Sequence, residues 1–78
     1  AHTVYILRCN DGRHYVGCTS NLKNRLLRHN KGEVRFTSSR LPVEVVTQIL
    51  FKEKYKAFFF EKYLKSGSGA AFMYKRLV

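Results

Sequence analysis

The sequence is short of acid and of nearly every residue pattern that marks the familiar hydrolytic motifs. Five Asp and Glu stand against fifteen Lys and Arg, a formal charge of +10 with a pI near 10.1. Such a surface attracts polyanions and releases counterions on meeting phosphates, so nucleic acid is the expected partner, ahead of an anionic membrane. Two cysteines, Cys9 and Cys18, make no disulfide framework, and neither lies in a CxxC or a zinc-like spacing. Two reduced thiols in a cytoplasmic protein are the expectation. No apolar run approaches the roughly 20 residues that cross a bilayer, and no signal-peptide pattern opens the chain. A glycine-rich phosphate loop, an HExxH and a Ser-His-Asp arrangement are all missing, which leaves Ser38 and Ser39 as loop residues or phosphate contacts. Repeats and interdomain linkers are absent too. The 78 residues suffice for one compact domain, residues 1–78, whose aromatics enlarge an otherwise small core.

What is present is strongly patterned. Thr3 to Arg8 is a β-branched and aromatic run, followed by Asn10-Asp11-Gly12 and then Arg13 to Cys18, which predicts a hairpin. A two-residue Asn10-Asp11 loop would pair Tyr5 with Val16 and put Tyr5 and Tyr15 on opposite faces. A three-residue loop with Gly12 in the left-handed region pairs Cys9 with Arg13, Tyr5 with Gly17 and Leu7 with Tyr15, bringing both tyrosines to one face. Glycine suits that position best, so the second register is preferred, with open space beside the Tyr5 ring at Gly17. Thr19 or Ser20 can cap a helix from about Asn21 to Lys31, ended by Gly32. Leu22 and Leu26 mark its buried stripe, with Arg25 and His29 on the edge of that stripe. A polar, basic loop runs from Glu33 to Pro42. Val43, Val45, Thr47, Ile49 and Phe51 then share one side of a third strand. Ala57, Phe60, Glu61 and Leu64 lie along one side of a helix from about Lys54 to Lys65. Gly67 can end that helix, and Ser68 can cap a last one reaching about Arg76. The fold class is α+β, a three-stranded antiparallel sheet flanked by about three helices.

Glu61 is the most informative residue, because it interrupts an apolar stripe where a lone carboxylate is costly. It reads either as a salt bridge to Lys or Arg or as a hard oxygen ligand for Mg²⁺. In isolation the tyrosines read as core aromatics, and Arg25 and His29 as a solvated helix edge. Taken with Glu61, they supply a proton acceptor, a metal ligand and a cation, the parts that phosphodiester hydrolysis requires.

In order along the chain stand Thr3-Val4-Tyr5, Tyr15-Val16-Gly17, then Thr19, Leu22, Arg25, His29 and Gly32, and finally Ala57, Glu61 and Lys65. This series resembles the GIY-YIG nuclease family over nearly the whole chain. It is especially similar to small single-domain members likened to the N-terminal domain of an excision-repair nuclease. The resemblance implies a GIY-YIG nuclease fold, one divalent cation (Mg²⁺ or Mn²⁺) on Glu61, and a water activated by Tyr5 or Tyr15. It places Arg25 at the scissile phosphate and makes His29 a proton acceptor or phosphate ligand. Arg25, Arg28, Lys31, Arg35, Arg40 and Lys65 are the expected nucleic-acid contacts. The expected function is a metal-dependent endonuclease acting on DNA in repair or recombination, alone or with a protein partner. The alternative is a nucleic-acid-binding module of the same fold with weak or no catalysis. The minimal size and a missing late asparagine motivate that alternative. Thr3 replaces a motif glycine, a change expected to alter only strand packing; no Asn follows Asn30 where many relatives carry one, so Ser66 or Ser68 substitutes or the site is weakened.

Overall fold

The computed structural model describes residues 1–78. In chain order the elements are β1 (His2–Arg8), β2 (His14–Thr19), α1 (Leu22–Asn30), α2 (Arg35–Ser38), β3 (Glu44–Phe51), α3 (Lys54–Leu64) and α4 (Gly67–Arg76). The strands form one antiparallel sheet in the order β2-β1-β3. As the middle strand β1 is covered on both faces, and its Val4-Tyr5-Ile6-Leu7 run is buried without alternation. The expected α+β class and three-stranded sheet are observed, flanked by four helices because the Glu33–Pro42 segment contains the one-turn α2.

The hairpin takes the three-residue loop. Gly12 has φ +85°, and its N–H donates to the Cys9 carbonyl at 3.0 Å while Cys9 N–H donates to the Arg13 carbonyl at 2.7 Å. Tyr5 therefore faces Gly17 and Leu7 faces Tyr15. Both tyrosines lie on one face of the sheet, and Val4, Ile6 and Val16 on the other. The second face carries the apolar core, in which these three pack with Ala57 and Leu64 of α3 and Met73 of α4. Burying each of the larger aliphatic side chains is worth roughly 1.5–3 kcal/mol.

β3 departs from strict alternation. Ile6 pairs with Thr47 but Leu7 pairs with Val45, so Val46 is the extra residue of a β-bulge. Thr47, Ile49 and Phe51 stay on the core face, whereas Val45 moves to the tyrosine face opposite Leu7. Val46 itself packs against the core. The single-sided row expected from Val43 to Phe51 is thus broken, and the strand begins at Glu44.

Helix ends are also corrected. The α1 cap is Asn21, whose Oδ1 accepts from Asn24 N–H at 3.1 Å, not Thr19 or Ser20. Thr19 Oγ1 instead accepts from Asn21 N–H at 3.1 Å, tightening the turn before the helix. Gly32, at φ +76°, carries the chain out of α1 as expected. Between the last helices Ser66, not Ser68, is the cap: its hydroxyl accepts from Gly69 N–H at 3.2 Å and donates to the Tyr63 carbonyl at 2.6 Å. Gly67 accordingly opens α4 and does not close α3.

Candidate functional site

Tyr5 sits at the centre of β1 and its ring lies across Gly17. A Cβ at that glycine would overlap Tyr5 Cζ and the phenol oxygen, so the space expected there is filled by the tyrosine itself. The phenol is fully buried and meets His29 Nε2 at 3.0 Å. His29 is not on the edge of the α1 stripe. It is the most buried residue of that helix, with 0% exposure, while Leu22 and Leu26 are only partly covered. Its other nitrogen, Nδ1, lies 2.7 Å from Thr37 Oγ1, and the Thr37 hydroxyl donates to the Val34 carbonyl at 3.3 Å. That last bond fixes the direction of the others. Thr37, having committed its proton, accepts from Nδ1–H, which leaves Nε2 to accept from the Tyr5 hydroxyl.

The electrostatics agree with this assignment. Burial holds His29 below its ordinary value of 6.5, and the charges of Arg25 and Arg28 push it the same way, so the ring is neutral. Burial pushes the Tyr5 phenol up to about 12; the Tyr15 phenol adds to the rise, Arg25 opposes it, and Glu61 adds a smaller push. Tyr5 is a protonated, sealed phenol. A relay of three fully buried groups, Tyr5, His29 and Thr37, runs under α1 and α2 with every member satisfied.

Around this relay the other expected residues gather. Tyr15 is only half-buried, with its ring 4.9 Å from that of His29, 6.2 Å from that of Tyr5 and 5.7 Å from that of Phe36. Arg25, half-buried on α1, is close enough for its charge to be felt by Tyr5, His29 and Cys18. Glu61 is felt by Tyr5 and by Cys18, the strand neighbour of Gly17, and so stands near that stretch of β2. Its side chain is 23% exposed, and Oε2 pairs with Lys65 Nζ at 2.9 Å across one helical turn. The salt-bridge reading of Glu61 is therefore realised. Oε1 makes no hydrogen bond within the chain. No three His, Cys, Asp or Glu side chains cluster here; the oxygen donor on offer is the Glu61 carboxylate, since the nearby Tyr5 phenol keeps its proton and is committed to His29.

The basic residues divide. Arg40 is committed within the chain: Nε pairs with Asp11 Oδ2 at 3.0 Å, Nη1 donates to the Phe36 carbonyl at 2.6 Å, and the guanidinium lies 4.4 Å over the Phe36 ring. Arg28 pairs with Glu33 at 3.5 Å, and Lys65 with Glu61. Arg25, Lys31 and Arg35 have no acidic partner, and the last two are exposed. Ser66 is occupied as a helix cap. Sequence reasoning missed Thr37, which it left in a polar loop. The signal that could have found it is Phe36, a lone aromatic in that loop, since an aromatic there implies docking onto the sheet.

Comparison with known proteins gives a consistent result. The family profile of the GIY-YIG catalytic domain matches residues 1–75. A UPF0213 protein of Staphylococcus saprophyticus is 37% identical over 57 residues, covering 72% of this chain and 70% of its own length. A UPF0213 protein of Streptococcus pneumoniae serotype 4 is 38% identical over 63 residues, covering 80% of this chain and 64% of its own, so the chain spans about two thirds of these relatives. The solution NMR structure of a UPF0213 protein from Bacillus halodurans is similar with a TM-score of 0.60 and 31% identity, over 95% of this chain and 82% of that one.

Proposed function

Since the chain belongs to the GIY-YIG family and to its UPF0213 members, we propose that it is a nucleic-acid-binding domain holding phosphodiester-cleaving side chains in a resting arrangement. One observation carries the binding function. Each of the five acidic residues already has a basic partner within 4.0 Å, which engages six of the fifteen cations and leaves nine without one, Arg25 beside the tyrosines among them. Internal pairing is exhausted, and phosphates are the natural counter-charge. The test is binding of duplex and branched DNA at rising salt. The expected log–log slope is steeply negative, since each neutralised phosphate contributes about −0.9 on B-DNA. Absence of binding at low salt, or binding indifferent to salt, would remove this function.

A second reading, hydrolysis of the bound DNA, is favoured by the Tyr5–His29–Thr37 relay. Arg25 neutralises charge developing on the phosphoryl oxygens. Tyr15, the phenol with access to solvent, moves the proton of the attacking water. Its hydroxyl oxygen accepts that proton while its own O–H proton passes to solvent. Tyr5 and Thr37 occupy both nitrogens of the imidazole, so the ring holds Tyr15 in place and takes no proton from it. An oxygen-only donor set with one carboxylate suits Mg²⁺ or Mn²⁺, held by Glu61 and supplying positive charge at the phosphate. With Lys65 on Oε2 the carboxylate is partly neutralised, so weak activity in the free domain is expected. Incubating plasmid, flapped and branched DNA with Mg²⁺ or Mn²⁺ decides the matter when wild type is compared with Glu61→Gln. Cutting by wild type alone supports hydrolysis. No cutting, or equal cutting by both, leaves only the binding function.

A further inference from the structure

We propose that a cavity at the β2 edge receives one unstacked nucleobase, so that the preferred strand carries an unpaired nucleotide beside the site. This rests on the nucleic-acid-binding function and specifies its substrate. The cavity measures about 380 Å³, at the small end of the roughly 300–1,000 Å³ range of ligand pockets. That size suits one planar ring system with its sugar. Seven of its nine lining residues are hydrophobic, and three of them, Tyr15, Phe36 and Tyr74, are aromatic. Bases stack on aromatic side chains whatever their sequence, because every base has a π-face.

The polar lining residues are His14 and Lys65, and both point to the same occupant. His14 Nε2 is the one shielded side-chain nitrogen or oxygen without a hydrogen-bond partner. A buried group left in that state costs free energy that an incoming polar edge restores. The ring of Tyr74 meets that of His14 edge-on at 5.4 Å and is itself 57% exposed, so it can turn to admit a base edge. Lys65 lines the cavity and pairs with Glu61 at 2.9 Å. The cavity therefore adjoins the candidate site, with Tyr15 as the shared wall. A nucleotide seated against Tyr15 and Lys65 has its base at this opening, provided the base has left its stack. Unstacking is least costly where the base is mismatched, bulged or single-stranded.

The experiment compares Kd for a fully paired duplex and for the same duplex with one bulged adenosine, at one salt concentration, with adenosine monophosphate as a competitor. Wild type is expected to prefer the bulge by about tenfold, the stacking contribution of one base. Ala70→Phe, which fills the cavity from α4, is expected to bring the ratio to about one and leave affinity for the paired duplex unchanged. Tyr74→Ala, a change at an exposed ring, is the companion variant and decides the matter if Ala70→Phe does not fold; it should lower the ratio several-fold. Equal wild-type affinity for the two duplexes overturns the inference, as does full retention of the preference in the variants. Adenosine monophosphate binding as tightly as the bulged strand overturns it too, by making the cavity a small-molecule site. All of these differ from failure of the parent function, which shows as no salt-dependent binding to either duplex.

Discussion

The two faces of one small sheet are built on opposite principles. On one, Val4, Ile6 and Val16 meet α3 and α4 through aliphatic side chains, and the hydroxyl of Thr47 at its edge is spent on the Leu77 carbonyl. On the other, Tyr5 meets the nine-residue α1 and, through His29, the one-turn α2 by hydroxyl and imidazole groups as dry as any aliphatic residue in the chain, with the half-buried Tyr15 ring beside them. Residues adjacent along β1 are thus held by different physics. The apolar face tolerates small misalignment, because hydrophobic burial has no direction. The tyrosine face does not, because each buried polar group is an asset only while its partner stays in place. The difference explains how so small a domain carries a site. One face supplies most of the stability, and the other uses part of it to keep a proton relay out of water.

Truncating the apolar face should have the largest effect. Leu64→Ala removes a side chain that is 1% exposed, and a loss of about 2–5 kcal/mol is expected in chemical denaturation. For a domain this small that threatens the folded state itself. If the loss is under about 1 kcal/mol, the apolar face does not dominate and the contrast fails. Next comes Gly17→Ala, which drives a methyl group into the Tyr5 ring and should cost roughly 1–3 kcal/mol. The same variant evicts the phenol, so its ionisation, followed by ultraviolet absorbance, should fall from about 12 toward 10. An unchanged titration would mean that the ring does not depend on the glycine.

Thr37→Val keeps the shape and deletes the acceptor for His29 Nδ1–H, at a cost of about 1–3 kcal/mol, which Thr37→Ser should largely restore. Failure of serine to rescue would assign the effect to packing and not to the relay. The gentlest lever is pH. His29 is held below 6.5 by burial and by Arg25 and Arg28, so the unfolded chain takes its proton first. Its contribution to stability is complete above pH 6.5 and is lost as pH falls through the depressed folded value. Tyr5 runs the other way: its contribution is complete below pH 10 and is lost as pH rises through about 12. Urea midpoints across both windows should show the two declines, and His29→Asn should flatten the acid one.

Much of this was legible in the residues. Gly12 settled the turn length, and the turn length settled that two tyrosines share a face. The α3 stripe placed Glu61 among apolar neighbours at a spacing that the helix reproduces. The illegible parts share a cause. The Val46 bulge moves Val45 to one face of the sheet and keeps Thr47 on the other, a shift of pairing with β1 that no local pattern records. Ser66 and Ser68 are equally good caps on paper, and the carbonyl of Tyr63 chooses between them. The depth of His29 and the role of Thr37 depend on each other, because each is tolerable in the interior only when the other is present. Thr37 also has local bonding alternatives, which make a threonine in a polar segment look ordinary.

The hairpin turn and the buried relay are tied in a closed circuit. From Tyr5 the backbone of β1 leads to the turn at Asp11, Asp11 holds Arg40, and Arg40 grips the carbonyl of Phe36. Beside Phe36 stands Thr37, which binds His29, and His29 returns to Tyr5. The Asn10 N–H, donating to the Arg40 carbonyl at 2.9 Å, doubles the weakest link. A ring of contacts constrains itself in a way that an open row cannot, because displacing any member strains its neighbours on both sides. The position of a phenol proton in the middle of the sheet is thereby set, in part, from a solvent-exposed tip far along the chain from the histidine it orients.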